Sequence, residues 1–312
     1  MPWLEEGVLL DGELLKSRFL GSLLGTGIGD SLGAGLAWGA MGPGRELAPR
    51  YTDDTHMTIG VAESLIARRG FDEEHMFLTF VRNWEREPWR GYGPGPPIIF
   101  RAYRRGLDPA EVARSLYPGG GSFGNGAAMR VAPIACFYYD DLDELKRATV
   151  GSAKLTHTHP LGVEGAVIQA LAIAYAIRTR PGDIRPLDFA EALFAEAESH
   201  VFKRKLRALR ALLLEQPDRR RIVKELGNSV EVFNSVPTAI FSFLATRSFE
   251  QALRFAVGLG GDADTIGAMT GALAGAYYGV EDIPAKWLSE LENRAYIEHL
   301  AISLWEIKAL GR

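Results

Sequence analysis

Two short segments of this chain set carboxylates and hydroxyls side by side. They are Tyr51-Thr52-Asp53-Asp54-Thr55-His56 and Gly260-Gly261-Asp262-Ala263-Asp264-Thr265, each just ahead of a helical pattern. One Asp or Thr is enough to cap a helix by accepting from its free N–H groups; four such residues in a row exceed that need. Adjacent carboxylates repel unless something positive lies between them. All-oxygen donors suit Mg²⁺, Mn²⁺ or Ca²⁺ better than zinc, and one or two such ions orient an oxygen leaving group or activate water. The second segment resembles the start of a calcium loop, with Gly267 at the sixth position. Leu273 stands at the twelfth, where a bidentate Glu is required, so it does not fit an EF-hand.

A third segment, Gly119-Gly120-Gly121-Ser122-Phe123-Gly124-Asn125-Gly126-Ala127-Ala128-Met129-Arg130, contains a formal Gly-x-Ser-x-Gly. A nucleophile elbow needs a strand before the serine, and Tyr117-Pro118-Gly119 precedes it here. A cradle of backbone N–H groups for phosphate is the better chemical reading. Gly91-Tyr92-Gly93-Pro94-Gly95 could do the same, and simple tight turns are the plain alternative for both. In Thr156-His157-Thr158-His159 the histidine spacing suits a strand rather than a helix, and no cysteine or third histidine clusters with them to support zinc. His157 is read as a ligand contact and His159 as structural. The one cysteine, Cys136, excludes an intramolecular disulfide and a thiolate metal site, and sits in an apolar run as a core residue.

These segments need a scaffold, and helical periodicity dominates the chain. Leu14, Leu15, Phe19, Leu20, Leu23 and Leu24 recur at helical intervals, and Asp72 precedes Met76, Phe77, Phe80, Val81 and Trp84 as a cap. Gly162–Ile177, Pro186–His200, Arg219–Leu226 and Phe249–Val257 read as helices, and Ala285–Leu310 as one or two more. Gly267, Gly271 and Gly275 recur every four residues, which suits a helix packed closely against a neighbour. Alternating strand patterns are almost absent. Loops at Gly39–Pro49, Arg90–Pro97 and Pro118–Gly126 carry the glycine and proline, and none has the length or bias of a domain linker. The expected architecture is one all-α domain over residues 1–312. With 47% apolar and 24% charged residues, its 312 residues can bury a large core. A net charge of −4 and pI near 5.9 give no reason to expect nucleic-acid binding. Pro2-Trp3-Leu4-Glu5-Glu6 does not read as a leader, and the weakly charged stretch Ile266–Val280 is too short to span a bilayer. The expectation is a cytoplasmic protein with no membrane partner.

Taken together, Thr52-Asp53-Asp54-Thr55, Ser122 to Arg130 and Gly260 to Thr265 resemble the ADP-ribosylglycohydrolase family in order and separation. Gly25-x-x-x-Gly29-Asp30-Ser31-Leu32-Gly33 is similar to the family's first helix. The resemblance runs from about Phe19 to Trp287. Arg90-Gly91-Tyr92-Gly93 and Leu155-Thr156-His157 are nearest the ADP-ribosylserine hydrolase branch. It implies an all-α orthogonal bundle with a central dimetal cleft holding two Mg²⁺ ions, Mn²⁺ being the alternative. Thr52, Asp53, Asp54, Asp262, Asp264 and Thr265 would be the ligands. Gly91, Gly93, Ser122, Gly124, Asn125 and His157 would contact ADP-ribose, with Tyr117 and Phe123 around the adenine, where aromatic rings stack well. The implied reaction is hydrolysis at C1″ of ADP-ribose linked to a protein or small-molecule acceptor, with Asp53 or Asp54 as general base. Nucleic acid would enter only as a modified acceptor. One departure bears on activity. Many members carry a Glu that touches a metal at the position matching Ala37, and alanine neither ligates a metal nor moves a proton. Glu46, farther along the loop, is the candidate substitute. The alternative expectation is therefore a catalytically impaired ADP-ribose-binding module. A purely structural protein of the same fold would carry broken clusters, and both are intact.

Overall fold

The structure, a computed structural model, describes residues 11–38, 45–215 and 217–311. The Pro2–Glu6 segment and residues 39–44 of the Gly39–Pro49 loop lie outside the described residues. In chain order the helices are α1 Gly12–Trp38, α2 Asp53–Arg68, α3 Glu73–Arg86, α4 Gly95–Arg104, α5 Pro109–Ser115, α6 Ala132–Phe137, α7 Leu142–Lys154 and α8 Pro160–Arg178. They continue with α9 Pro186–Glu196, α10 His200–Leu213, α11 Arg219–Leu226, α12 Val232–Leu244, α13 Phe249–Gly258, α14 Ala263–Tyr278, α15 Ala285–Glu290 and α16 Arg294–Leu310. Among the described residues there is no strand, and one isolated bridge pairs Gly124 with Glu231. The all-α expectation holds.

Helix starts follow the capping chemistry. Asp72 accepts from His75 N at 2.8 Å, and Asp141, Asp218 and Ser248 cap α7, α11 and α13 in the same way. The 186–200 run holds one helix, α9, which stops at Glu196; α10 begins at the run's last residue, His200. Ala197 turns extended after α9, and Ser199 then caps α10 by accepting from Phe202 N at 3.1 Å. The 285–310 segment is two helices, separated at Asn293, which takes a left-handed φ of 52°.

The centre of the bundle is α1 lying along α14. Both helices repeat glycine every four residues, which keeps one glycine face per turn. A Cβ added at Gly25 would lie 2.2 Å from the Gly271 carbonyl oxygen, and one at Gly29 2.0 Å from that of Gly267. At Gly33 it would lie 2.3 Å from the Ala263 oxygen. The two backbones are therefore in direct contact, with no side chain between them. This places the last third of α1, around Gly29 to Gly33, beside the first turn of α14.

The most apolar long helix is α8, not the 266–280 stretch. Its mean hydropathy of 1.5 over 19 residues meets the length and composition of a membrane span, yet 72% of that window is buried against other helices. Packing in the core accounts for its hydropathy, since a helix covered on all sides is apolar all round.

Candidate metal centre and ligand cavity

Three helix segments meet at one point. α2 opens with Asp53 and Asp54, α14 with Asp264 and Thr265, and α1 contributes Asp30 from its interior. Asp30 is fully buried. Its Oδ2 accepts from Thr52 N at 2.9 Å, Thr55 N at 3.1 Å and Thr55 Oγ1 at 2.5 Å, while Oδ1 accepts from Thr52 Oγ1 at 2.8 Å. It therefore satisfies the free N–H groups at the start of α2, a role the sequence reading did not give it. The available signal was a single acid inside an apolar helical run, which needs a partner when buried.

A cavity of about 330 Å³ gathers the residues singled out from the sequence. Asp53, Asp54, Asp262, Asp264 and Thr265 form one wall; Gly91, Gly93, Ser122, Gly124, Asn125, His157 and Tyr117 form the others. Thr52 lies behind this wall, its hydroxyl between Asp30 and Asp54 Oδ2, the latter at 2.9 Å. Phe123 is not among the lining residues; it is 38% exposed, with its ring edge-on to His159 and tilted against Phe233. Phe233 and Val230, which also lines the cavity, were not read from the sequence. A larger cavity of about 650 Å³ elsewhere gathers none of these site residues.

The loops are tied to the acids. Asn125 Nδ2 donates to Asp262 Oδ2 at 2.6 Å, and Asn125 N donates to Val230 O at 2.9 Å. Ser122 Oγ accepts from Gly124 N at 3.1 Å, a local turn rather than a nucleophile elbow. Arg90 anchors the other glycine loop through Glu292 at 2.6 Å and the Tyr51 carbonyl at 3.0 Å. His56 Nδ1 meets the Tyr92 hydroxyl at 2.9 Å. His159 caps α8 by accepting from Leu161 N, in keeping with a structural role. Cys136 is buried, and burial pushes its thiol up to about 12, so it is inert at neutral pH.

Electrostatics mark the acid wall. Burial, with repulsion from neighbouring carboxylates, pushes Asp53 up to about 8 and Asp54 well above the usual carboxylate range. Burial raises Asp30 to about 7, against the hydrogen bonds from Thr55 and Thr52, and Asp262 to about 6. Asp54 Oδ1 is buried without a hydrogen-bond partner. Among the described residues no three Asp, Glu, His or Cys side chains form a finished ligand shell. The donor chemistry nevertheless fits a hard cation: several carboxylates face one cavity, and one buried oxygen lacks a partner.

A pH dependence follows. Groups whose folded pKa is raised contribute stability as neutral acids below the unfolded value near 3.8, and that stability is lost as pH rises through about 6 to 8. In chelator, wild type is expected to lose thermal stability relative to Asp54→Asn between pH 5 and pH 8. Melting curves check this, and a wild-type melting temperature that stays level with the variant's at pH 8 contradicts it.

Glu46 is not free to enter the cavity in this structure. It pairs with Lys286 at 3.0 Å and Arg254 at 2.5 Å and accepts from Trp287 Nε1 at 3.2 Å. Those bonds, Lys286 first, hold its carboxyl down to about 2. Ala37 lies in the last turn of α1.

The helical bundle is that of a known class: the chain belongs to the ADP-ribosylglycohydrolase family, whose model matches residues 11–311. It is a glycosidic-bond hydrolase by that membership. The chain is 36% identical to the ADP-ribosylhydrolase ARH3 of Bos taurus and 35% to that of Homo sapiens. Each comparison covers 93% of this chain and 93% of the relative. It is 28% identical to the ADP-ribosyl-[dinitrogen reductase] glycohydrolase of Rhodospirillum rubrum, over 91% of this chain and 94% of that one. A solved ADP-ribosylglycohydrolase-related protein complex superposes with a TM-score of 0.71 at 32% identity, covering 95% of this chain and 99% of the other. The family and branch resemblance read from the motifs is borne out.

Proposed function

We propose that this chain is a magnesium-dependent hydrolase that releases ADP-ribose from a modified protein or small-molecule acceptor by cleaving the glycosidic bond at C1″. One observation carries the reading: two Asp-Thr helix starts and two glycine loops converge on one cavity. The names of the relatives support ADP-ribose as the group released.

Thr52, Asp53, Asp54, Asp262, Asp264 and Thr265 would hold two Mg²⁺ ions, Mn²⁺ being the alternative, which would polarise ribose oxygens and acidify water. Asp53 is the member of its pair partly open to the cavity, so it is placed to take the proton from the attacking water. Asp54 lies deeper, held by Thr52 at 2.9 Å. Gly91, Gly93, Ser122, Gly124 and Asn125 line the same cavity, where backbone N–H groups can meet a pyrophosphate. His157 contacts the same part of the ligand, and Tyr117 and Phe123 take the adenine.

The test is a panel of arginine-, serine- and nucleic-acid-linked ADP-ribose substrates, with and without Mg²⁺. Wild type is expected to release ADP-ribose from at least one of them, and only with the metal. Ala37→Glu is expected to raise turnover of the serine linkage by at least about 10²-fold, the scale of a positioned carboxylate.

A second reading, an ADP-ribose-binding module without turnover, is favoured by the ion pairs that hold Glu46 beside Arg254 and Lys286. They hold Glu46 away from a substitute role for Ala37. Tight ADP-ribose binding by wild type with no release from any substrate in the panel would select it.

A further inference from the structure

Beside the cavity lies a buried cation, Arg130, that forms no direct ion pair among the described residues. Its Nη2 donates to Ser152 O at 2.6 Å and its Nη1 to Thr156 Oγ1 at 2.9 Å. The other polar neighbour of that hydroxyl is His157 Nδ1, at 2.8 Å.

A guanidinium only donates, so Thr156 Oγ1 accepts from Arg130. The hydroxyl has one hydrogen of its own. Thr156 is 1% exposed, so that hydrogen has no water to turn to, and a buried donor without an acceptor is costly. His157 Nδ1 is the acceptor within reach, and it accepts only if it carries no proton. Hydrogen positions follow here from the closure of the network.

We propose that Arg130 and Thr156 are positioning residues that lock His157 in its Nε2–H tautomer, giving the cavity a fixed, uncharged N–H donor beside the glycine loop. This deepens the reading above and rests on it for the identity of the acceptor, a phosphate oxygen of ADP-ribose. The same imidazole edge explains one glycine of the loop. A Cβ at Gly126 would lie 2.8 Å from His157 Cε1 and 3.0 Å from Nε2. Without a side chain there, the loop backbone and the ring edge share one wall.

The ring also stays neutral. The charged and titratable groups around it are Arg130 and, lining the same cavity, Asp53, Asp54, Asp262, Asp264 and Tyr117. Burial, followed by the charge of Arg130, holds the imidazole down to about 3. An ordinary histidine gains charge on meeting a phosphate; this one contributes a directed hydrogen bond.

The experiment is nitrogen-detected NMR on free protein labelled in histidine, with the His157 signals assigned by their loss in His157→Gln. The expected result is a neutral Nε2–H ring at pH 5 and at pH 8. Thr156→Val, which removes the hydroxyl at nearly constant volume, is expected to shift the ring toward the other tautomer. It should also weaken ADP-ribose binding about fivefold to tenfold, the loss of one oriented hydrogen bond, with Thr156→Ser restoring both. An Nδ1–H ring in wild type, or wild-type tautomer and affinity in Thr156→Val, overturns the proposal. Failure of wild type to bind ADP-ribose at all overturns the ligand reading and the donor role together, while the tautomer measured on the free protein still decides whether the lock exists.

Discussion

Replacing Asp264 with alanine is expected to lower turnover by roughly 10³-fold, the scale seen when a preorganised polar group is removed from an active site. Asp264 lines the acid wall beside Asp262 and Thr265 at the start of α14, and under the proposed function it is a metal ligand. Under the same reading Mg²⁺ should stabilise wild type and not the variant, since an ion that binds only the folded state stabilises it by mass action, about 2.7 kcal/mol at a hundredfold excess over Kd. Calorimetry with and without Mg²⁺, alongside ADP-ribose release, measures both effects. Full activity of Asp264→Ala, or of wild type in excess chelator, would sink the metal reading. Because the carboxylates repel one another without a cation, the variant should fold in chelator at least as well as wild type. A loss of activity would then not be a loss of structure.

The second large effect concerns the scaffold. Gly271→Val is expected to cost at least about 3 kcal/mol, at the upper end of overpacking penalties. A Cβ at Gly271 would stand 1.9 Å from the Gly25 carbonyl oxygen. That atom is helix backbone, with no rotamer to turn aside. Relief requires α1 and α14 to separate, and separation pulls Asp30 away from the α2 start it caps. Urea unfolding measures the cost, with Gly12→Ala as the control, because a Cβ there meets nothing within 4 Å. A cost for Gly271→Val below about 1 kcal/mol would mean that the two helices are not in backbone contact.

The division between what was readable and what was not has a physical basis. The sequence by itself determined the all-α class, most helix starts and both Asp-Thr clusters. These rest on interactions within a turn or two: apolar spacing, side-chain caps, and acidic groups in excess of what a cap requires. The glycine repeat at 267, 271 and 275 showed that α14 packs closely. It did not name the partner, which is α1 with its own repeat at 21, 25, 29 and 33. Only the tertiary structure decided that Asp30 caps α2, because its partners Thr52 and Thr55 come from another helix. Only it showed that Glu46 is held by Arg254 and Lys286, residues near the other end of the chain. The break after Glu196 escaped periodicity, since only three residues separate α9 from α10. The two Asp-Thr starts lie far apart in sequence, and nothing local to either one specifies the other. They form one wall because α1 and α14 meet backbone to backbone, which brings the start of α14 to the acid that also holds the start of α2.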